Sequence, residues 1–146
     1  MNSLYDTYNL IKEFAEGHNM INEFRYVKTE QELQHLEFQY RSMIVMPLEA
    51  NISRELNNPV YTLEFAVVIL DKVSQHSDLE SVMSTEENIF VVGQLQDYLI
   101  QNVEDVSFGE VDLYTAIGGD YNITSATADF SVTIARKPYT KHIDNQ

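Results

Sequence analysis

Apolar and polar positions alternate most regularly near the C-terminus. Ala126, Ala128, Phe130, Val132 and Ile134 interleave with Thr127, Asp129, Ser131 and Thr133, which predicts a half-buried strand over 121–136. Pro138 stops it. A preceding strand over 106–117 changes face near Gly109, so a bulge is expected there, and Gly118-Gly119-Asp120 supplies the hairpin turn. In 42–53 Ile44, Met46, Leu48, Ala50 and Ile52 share one face, and Pro47, Glu49, Asn51 and Ser53 the other. Pro47 cannot donate a ladder hydrogen bond, so it belongs at an edge or a bulge. Asn57-Asn58-Pro59 makes the next turn.

The segment 60–73 is apolar on both sides at one end. Tyr61, Leu63, Phe65, Val67 and Ile69 face one way. The other face opens with Thr62 and Glu64, then turns apolar at Ala66, Val68 and Leu70. A strand of that kind is covered twice, here by this chain or by a neighbouring subunit.

Two segments follow the helical period instead. Leu4, Tyr8, Ile11 and Phe14 or Ala15 predict a helix over 3–16, capped by Asn2 or Ser3 and stopped near Gly17. Ile89, Val92, Leu95, Leu99 and Val103 predict a second helix to about Asn102, starting at the capping sequence Ser84-Thr85-Glu86-Glu87. Gly93 inside it is expected at a close-packing position, because glycine there costs about 1 kcal/mol against alanine. Residues 21–28 form a short strand, with Phe24 and Tyr26 on one face. Thr29-Glu30-Gln31-Glu32 resembles a capping box leading into a helical turn. The order is α–β–β–β–α–β–β. It predicts an α+β domain over 1–138, an antiparallel sheet with two main helices packed on one face. The tail, 139–146, is expected to be flexible or ordered by a partner.

Composition narrows the function. Twenty-three acidic residues against nine basic ones give a formal charge of −14. Such a chain is repelled by nucleic acid and anionic lipid, which disfavours sequence-reading DNA binding and membrane attachment. From residue 71 to 135 there are 12 acidic residues and one basic residue, Lys72. The tail Arg136-Lys137-Pro138-Tyr139-Thr140-Lys141 is locally basic. No cysteine is present, so disulfides and thiolate metal sites are ruled out. The first residues lack the pattern of a signal peptide, and no apolar run approaches the ~20 residues of a membrane span.

Candidate chemistry is sparse. His18, His35, His76 and His142 make no metal-ligand spacing, and solvated histidines are expected. Glu110 and Asp112 share a strand face, but a solvent-facing acidic strand explains them. No phosphate loop, nucleophile elbow or calcium loop occurs. The expectation is no catalytic, metal or cofactor site. Nine tyrosines and seven phenylalanines lend some weight to an assembly role.

The segment from strand 60–73, ending Leu70-Asp71-Lys72-Val73, through an acidic linker to a helix carrying Ile89, Val92, Leu95 and Leu99 resembles a family of small bacteriophage neck and tail proteins. These are tail-terminator-like proteins, especially of phages of Bacteroidetes hosts, including crAss-like phages. Glu110-Val111-Asp112-Leu113-Tyr114, Gly118-Gly119, the strand 129–134 before Pro138, the first helix and the strand to Pro47 fall in family order. The basic tail departs from many relatives. The resemblance implies a structural ring protein of the virion neck or tail, assembled in the host cytoplasm, without enzymatic activity or cofactor. Its homo-oligomeric ring, six-fold or twelve-fold, contacts portal, adaptor or tail proteins. Double-stranded DNA passes through the lumen without sequence-specific binding.

On this reading Ala66, Val68, Leu70 and Tyr61 are the expected subunit seam. Glu104, Asp105, Glu110, Asp112 and Asp120 are the expected acidic face toward the lumen or a partner. The alternative is a soluble acidic α+β adaptor module that binds a basic protein.

Overall fold

The computed structural model describes residues 3–29, 32, 37–55, 58–74, 76–117 and 121–135. Its elements are α1 (Leu4–Gly17), β1 (Glu23–Tyr26), β2 (Ser42–Glu55), β3 (Asn58–Ser74), α2 (Asp78–Asn102), β4 (Val106–Ile117) and β5 (Tyr121–Ala135). The expected α+β order holds. The five-stranded sheet runs β1-β2-β3-β5-β4. It is mixed rather than purely antiparallel, because β1 pairs parallel with β2. β3 and β4 point the same way, and α2 carries the chain between them across β5.

Both helices pack on one face of the sheet. Ile11 and Ala15 of α1 and Val91, Val92, Leu95 and Leu99 of α2 close over Met43, Val45, Val67, Ile69 and the even-numbered positions of β5. Phe65 and Phe130 are register partners with stacked rings, centroids 5.1 Å apart, and Phe108 stands beside Phe130 in the same row. Burying one such ring contributes on the order of 2–3 kcal/mol, so this row anchors the sheet beneath the helices.

Two bulges reset the pattern. The expected one in β4 lies between Phe108 and Val111. The other, between Pro47 and Glu49, changes a face assignment: Ile44 and Met46 point away from the helices, whereas Ala50 and Ile52 share the helix side with Leu63 and Tyr61. The extra residue, Leu48, shifts the parity.

Helix α1 begins as expected, with Ser3 Oγ accepting the Asp6 N–H at 3.1 Å. Helix α2 begins earlier than expected. Ser77 caps it through Glu80 N–H at 3.1 Å, so Ser84 lies inside the helix and is buried. Its buried stripe is Ser84, Asn88, Val91, Val92, Leu95 and Leu99, while Ile89 faces solvent. The Thr29–Glu32 cap is present, Thr29 Oγ1 accepting the Glu32 N–H at 3.1 Å. The rest of that turn, Gly118-Gly119-Asp120 and the tail lie outside the described residues.

Candidate functional site

The expected seam does not form one exposed surface. Ala66 and Val68 are buried beneath this chain's own Val27, Phe38, Ile44 and Met46, with Leu70 packed at the margin. Of the two covers the sequence left open, the chain itself supplies this one. Tyr61 points to the opposite, helix side. There it lines a 640 Å³ groove with Leu4, Tyr5, Tyr8 and Tyr26. Tyr8 meets the rings of Phe24 and Tyr26 edge-on at 5.7 and 5.8 Å.

Beyond that small second core, the sheet face away from the helices is polar and left uncovered by the described residues. Its rows follow from the register. Glu49, Glu64, Ser131 and Ser107 form one row across four strands, ending in a Ser107–Ser131 hydroxyl contact of 2.6 Å. Asn51, Thr62 and Thr133 form the next, with the two threonine hydroxyls 3.3 Å apart. Asp129 pairs with Ala66, and Asp112 with Thr127. Leu48, Glu49, Glu64, Ser107, Asp129 and Ser131 border a 450 Å³ groove here. Among the described residues no ion pair is made by Glu49, Glu64, Asp112 or Asp129.

The sequence-predicted acids are only partly gathered. Asp112 belongs to this face. Glu110 sits exposed in the β4 bulge, and Glu104 and Asp105 lie exposed in the α2–β4 turn. Asp120 lies outside the described residues. Glu49 and Glu64 join from strands outside the 71–135 stretch. Charge counted along the chain misses neighbours made by pairing across it.

Among the described residues both sheet edges are open: none pairs as a strand with the outer side of β4, or with β2 beyond Val45, where β1 ends. Ile117 (77% exposed) and Ile52 (71%) stand on these edges.

A buried polar cluster fixes α2 to the sheet. Arg41 donates through Nε to Asn88 Oδ1 at 2.8 Å and through a terminal nitrogen to Asp71 Oδ2 at 2.9 Å. Ser84 Oγ donates to Asp71 Oδ2 at 2.7 Å, and Asn88 Nδ2 to Thr124 Oγ1 at 3.0 Å. Glu87 lies 3.6 Å from Arg41. Asp71, which opens the acidic stretch, is thus engaged internally. Such closed networks fix register because each buried polar group meets a partner. No local sequence signal joins these residues, which come from three separate elements and a loop.

His18 is half-buried rather than solvated. Its Nδ1 accepts the Met20 N–H at 3.1 Å, so Nε2 carries the proton and donates to Gln94 Oε1. Among the described residues no three potential ligands gather for a metal, and no helix is long and apolar enough to cross a membrane.

No protein-family model matches the chain, and no curated protein is detectably similar to it.

Proposed function

We propose that this chain is a structural ring subunit of a bacteriophage neck or tail, with DNA passing through the ring. The virion assignment rests on the pattern and order of elements along the sequence. The observation that carries the assembly half is a sheet that, among the described residues, is open at both edges and over one acidic face. β2 and β4 run in opposite directions. The β4 edge of one copy therefore meets the β2 edge of the next antiparallel, a head-to-tail contact that closes by rotation. A lumen lined by Glu49, Glu64, Asp112 and Asp129 repels phosphate and lets DNA slide.

The test is the mass of the purified 16.9 kDa chain together with negative-stain images over a concentration series. Closed rings, and particles labelled at the neck or tail by an antibody to this chain, are expected. A single-chain species that captures a basic protein one-to-one, with unlabelled particles, replaces the ring with the adaptor reading. Genes for a portal and a major capsid protein beside its own are the corresponding genomic expectation.

A further inference from the structure

Helix α2 is apolar on two opposite sides. One side is buried on the sheet. The other carries Leu79, Val82, Met83, Ile89, Phe90 and Ile100, each between 43% and 69% exposed. Scattered exposed apolar residues are ordinary, but six on one stripe of one helix mark a contact surface. Gly93 lies in the same stripe. Within a helix it costs about 1 kcal/mol against alanine. No described residue outside its own stretch of helix requires it, because an added Cβ would meet none of their atoms within 4 Å. The close packing expected of Gly93 is therefore not made by the described residues.

We propose that this stripe is the interface of a symmetric, antiparallel α2–α2 pair formed with a second copy of the chain. The apolar residues at its two ends and its centre match about a point between Ile89 and Phe90. Turned end for end, Leu79 meets Ile100, Ile89 meets Phe90, and Glu86 falls opposite Gly93. A two-fold contact demands that reciprocity. The missing side chain at Gly93 leaves room for the Glu86 stem and lets the axes approach to about 8 Å. Val82 and Met83 fall opposite Asp97 and Gln96, and the carboxylates of Glu86 and Asp97 stand on the stripe itself, so salt that screens them should strengthen the pairing. Six large apolar side chains exposed to this extent offer on the order of 600 Å² per copy, or about 1,200 Å² for the pair, within the range of specific interfaces. The stripe lies on the far side of the helix layer from the uncovered sheet face. The pairing is thus independent of the ring and competes with neither sheet edge.

Sedimentation equilibrium of the full chain tests the pairing, with Phe90→Glu and Gly93→Leu as variants and far-UV circular dichroism as the check on folding. Phe90→Glu is expected to halve the mass of whatever species the wild type forms: two chains to one, or a double ring to a single ring. Gly93→Leu is expected to halve it too, while holding or raising the thermal midpoint, since the helix gains propensity and the chain has space. A purely internal role for the stripe cannot produce those opposite signs. A wild type of single-chain mass at its highest soluble concentration, or folded variants of unchanged mass, overturns the proposal.

Discussion

Glu49 of β2 and Glu64 of β3 stand directly opposite each other in the ladder, both on the uncovered face of the sheet. Like charges in direct register repel, and among the described residues no cation pairs with either. Glu64→Lys turns repulsion into attraction and is predicted to raise stability by about 0.5–1 kcal/mol, read as a higher urea midpoint. Net charge falls in magnitude from −14 to −12, since −14 + 2 = −12. If the face lines a DNA channel, the same variant should retain DNA at low salt where the wild type does not. A stabilised variant that still ignores DNA would detach this face from the lumen.

Arg41 and Asp71 make the most enclosed ion pair among the described residues, with side chains 8% and 19% exposed. Removing one partner leaves a charge with too few neighbours, so Arg41→Ala is predicted to cost about 3 kcal/mol. Ser84→Ala should cost about 1 kcal/mol. Both act through Asp71, so the double variant should depart from additivity by at least about 0.5 kcal/mol. Urea unfolding of the four proteins measures this, and strict additivity would show that the cluster is not energetically one unit.

The strands were legible because alternation is a local signal. β5 follows it over its full length, and the glycine in β4 marked its bulge. The same signal misled in β2, where the extra residue Leu48 inverts the faces of Ala50 and Ile52 without changing the written alternation. The seam misled for a different reason: the apolar face at Ala66 and Val68 is covered by Val27 and Phe38, distant in sequence. In α2, Ser84 reads as a helix cap, and nothing in the sequence singles out Asn88. They are buried because Arg41, Asp71 and Thr124 satisfy them, and that information is entirely non-local.

The beginning of α2 offers a direct comparison of two caps. Ser77-x-x-Glu80 and Ser84-x-x-Glu87 both have cap chemistry, and the fold uses the first. Ser77→Ala is predicted to cost about 1 kcal/mol and to speed amide exchange in the first turn alone. Uniform loss of protection along the helix would assign Ser77 a wider role.

Glu23 gives the fold a defined acid sensitivity. Burial pushes its carboxyl up, but the Gln39 N–H at 2.7 Å and the Arg25 guanidinium outweigh this and bring it below the ordinary value of 4.5. A depressed carboxylate stabilises the fold above its unfolded value, and the gain disappears as pH falls through the folded one. The thermal midpoint of Glu23→Gln should lie below that of the wild type at neutral pH. The difference should shrink as pH falls below 4.5. A difference that does not vary with pH would assign the effect to packing rather than ionisation.

The open edges make the sharpest demand on the proposed ring. An unpaired strand edge invites another strand, and the exposed Ile117 and Ile52 do nothing to deter one. Ile117→Lys and Ile52→Lys each alter a side chain that contributes little to the core, so stability should change by no more than about 0.5 kcal/mol. If β4 pairs with the β2 edge of the next copy, each substitution places a solvated charge at the joint and should prevent closure. Mixed in equal amounts, the two variants should still fail to make rings, because every joint of such a ring contains at least one lysine or depends on a neighbouring joint that does. Amide exchange supplies the positive counterpart. The outward N–H groups of β4 and of residues 48–53 should exchange freely in the isolated subunit and slow on assembly, while the amides between β3 and β5 are protected in both. Rings that form from either variant with unchanged yield would place the subunit joint elsewhere on the molecule.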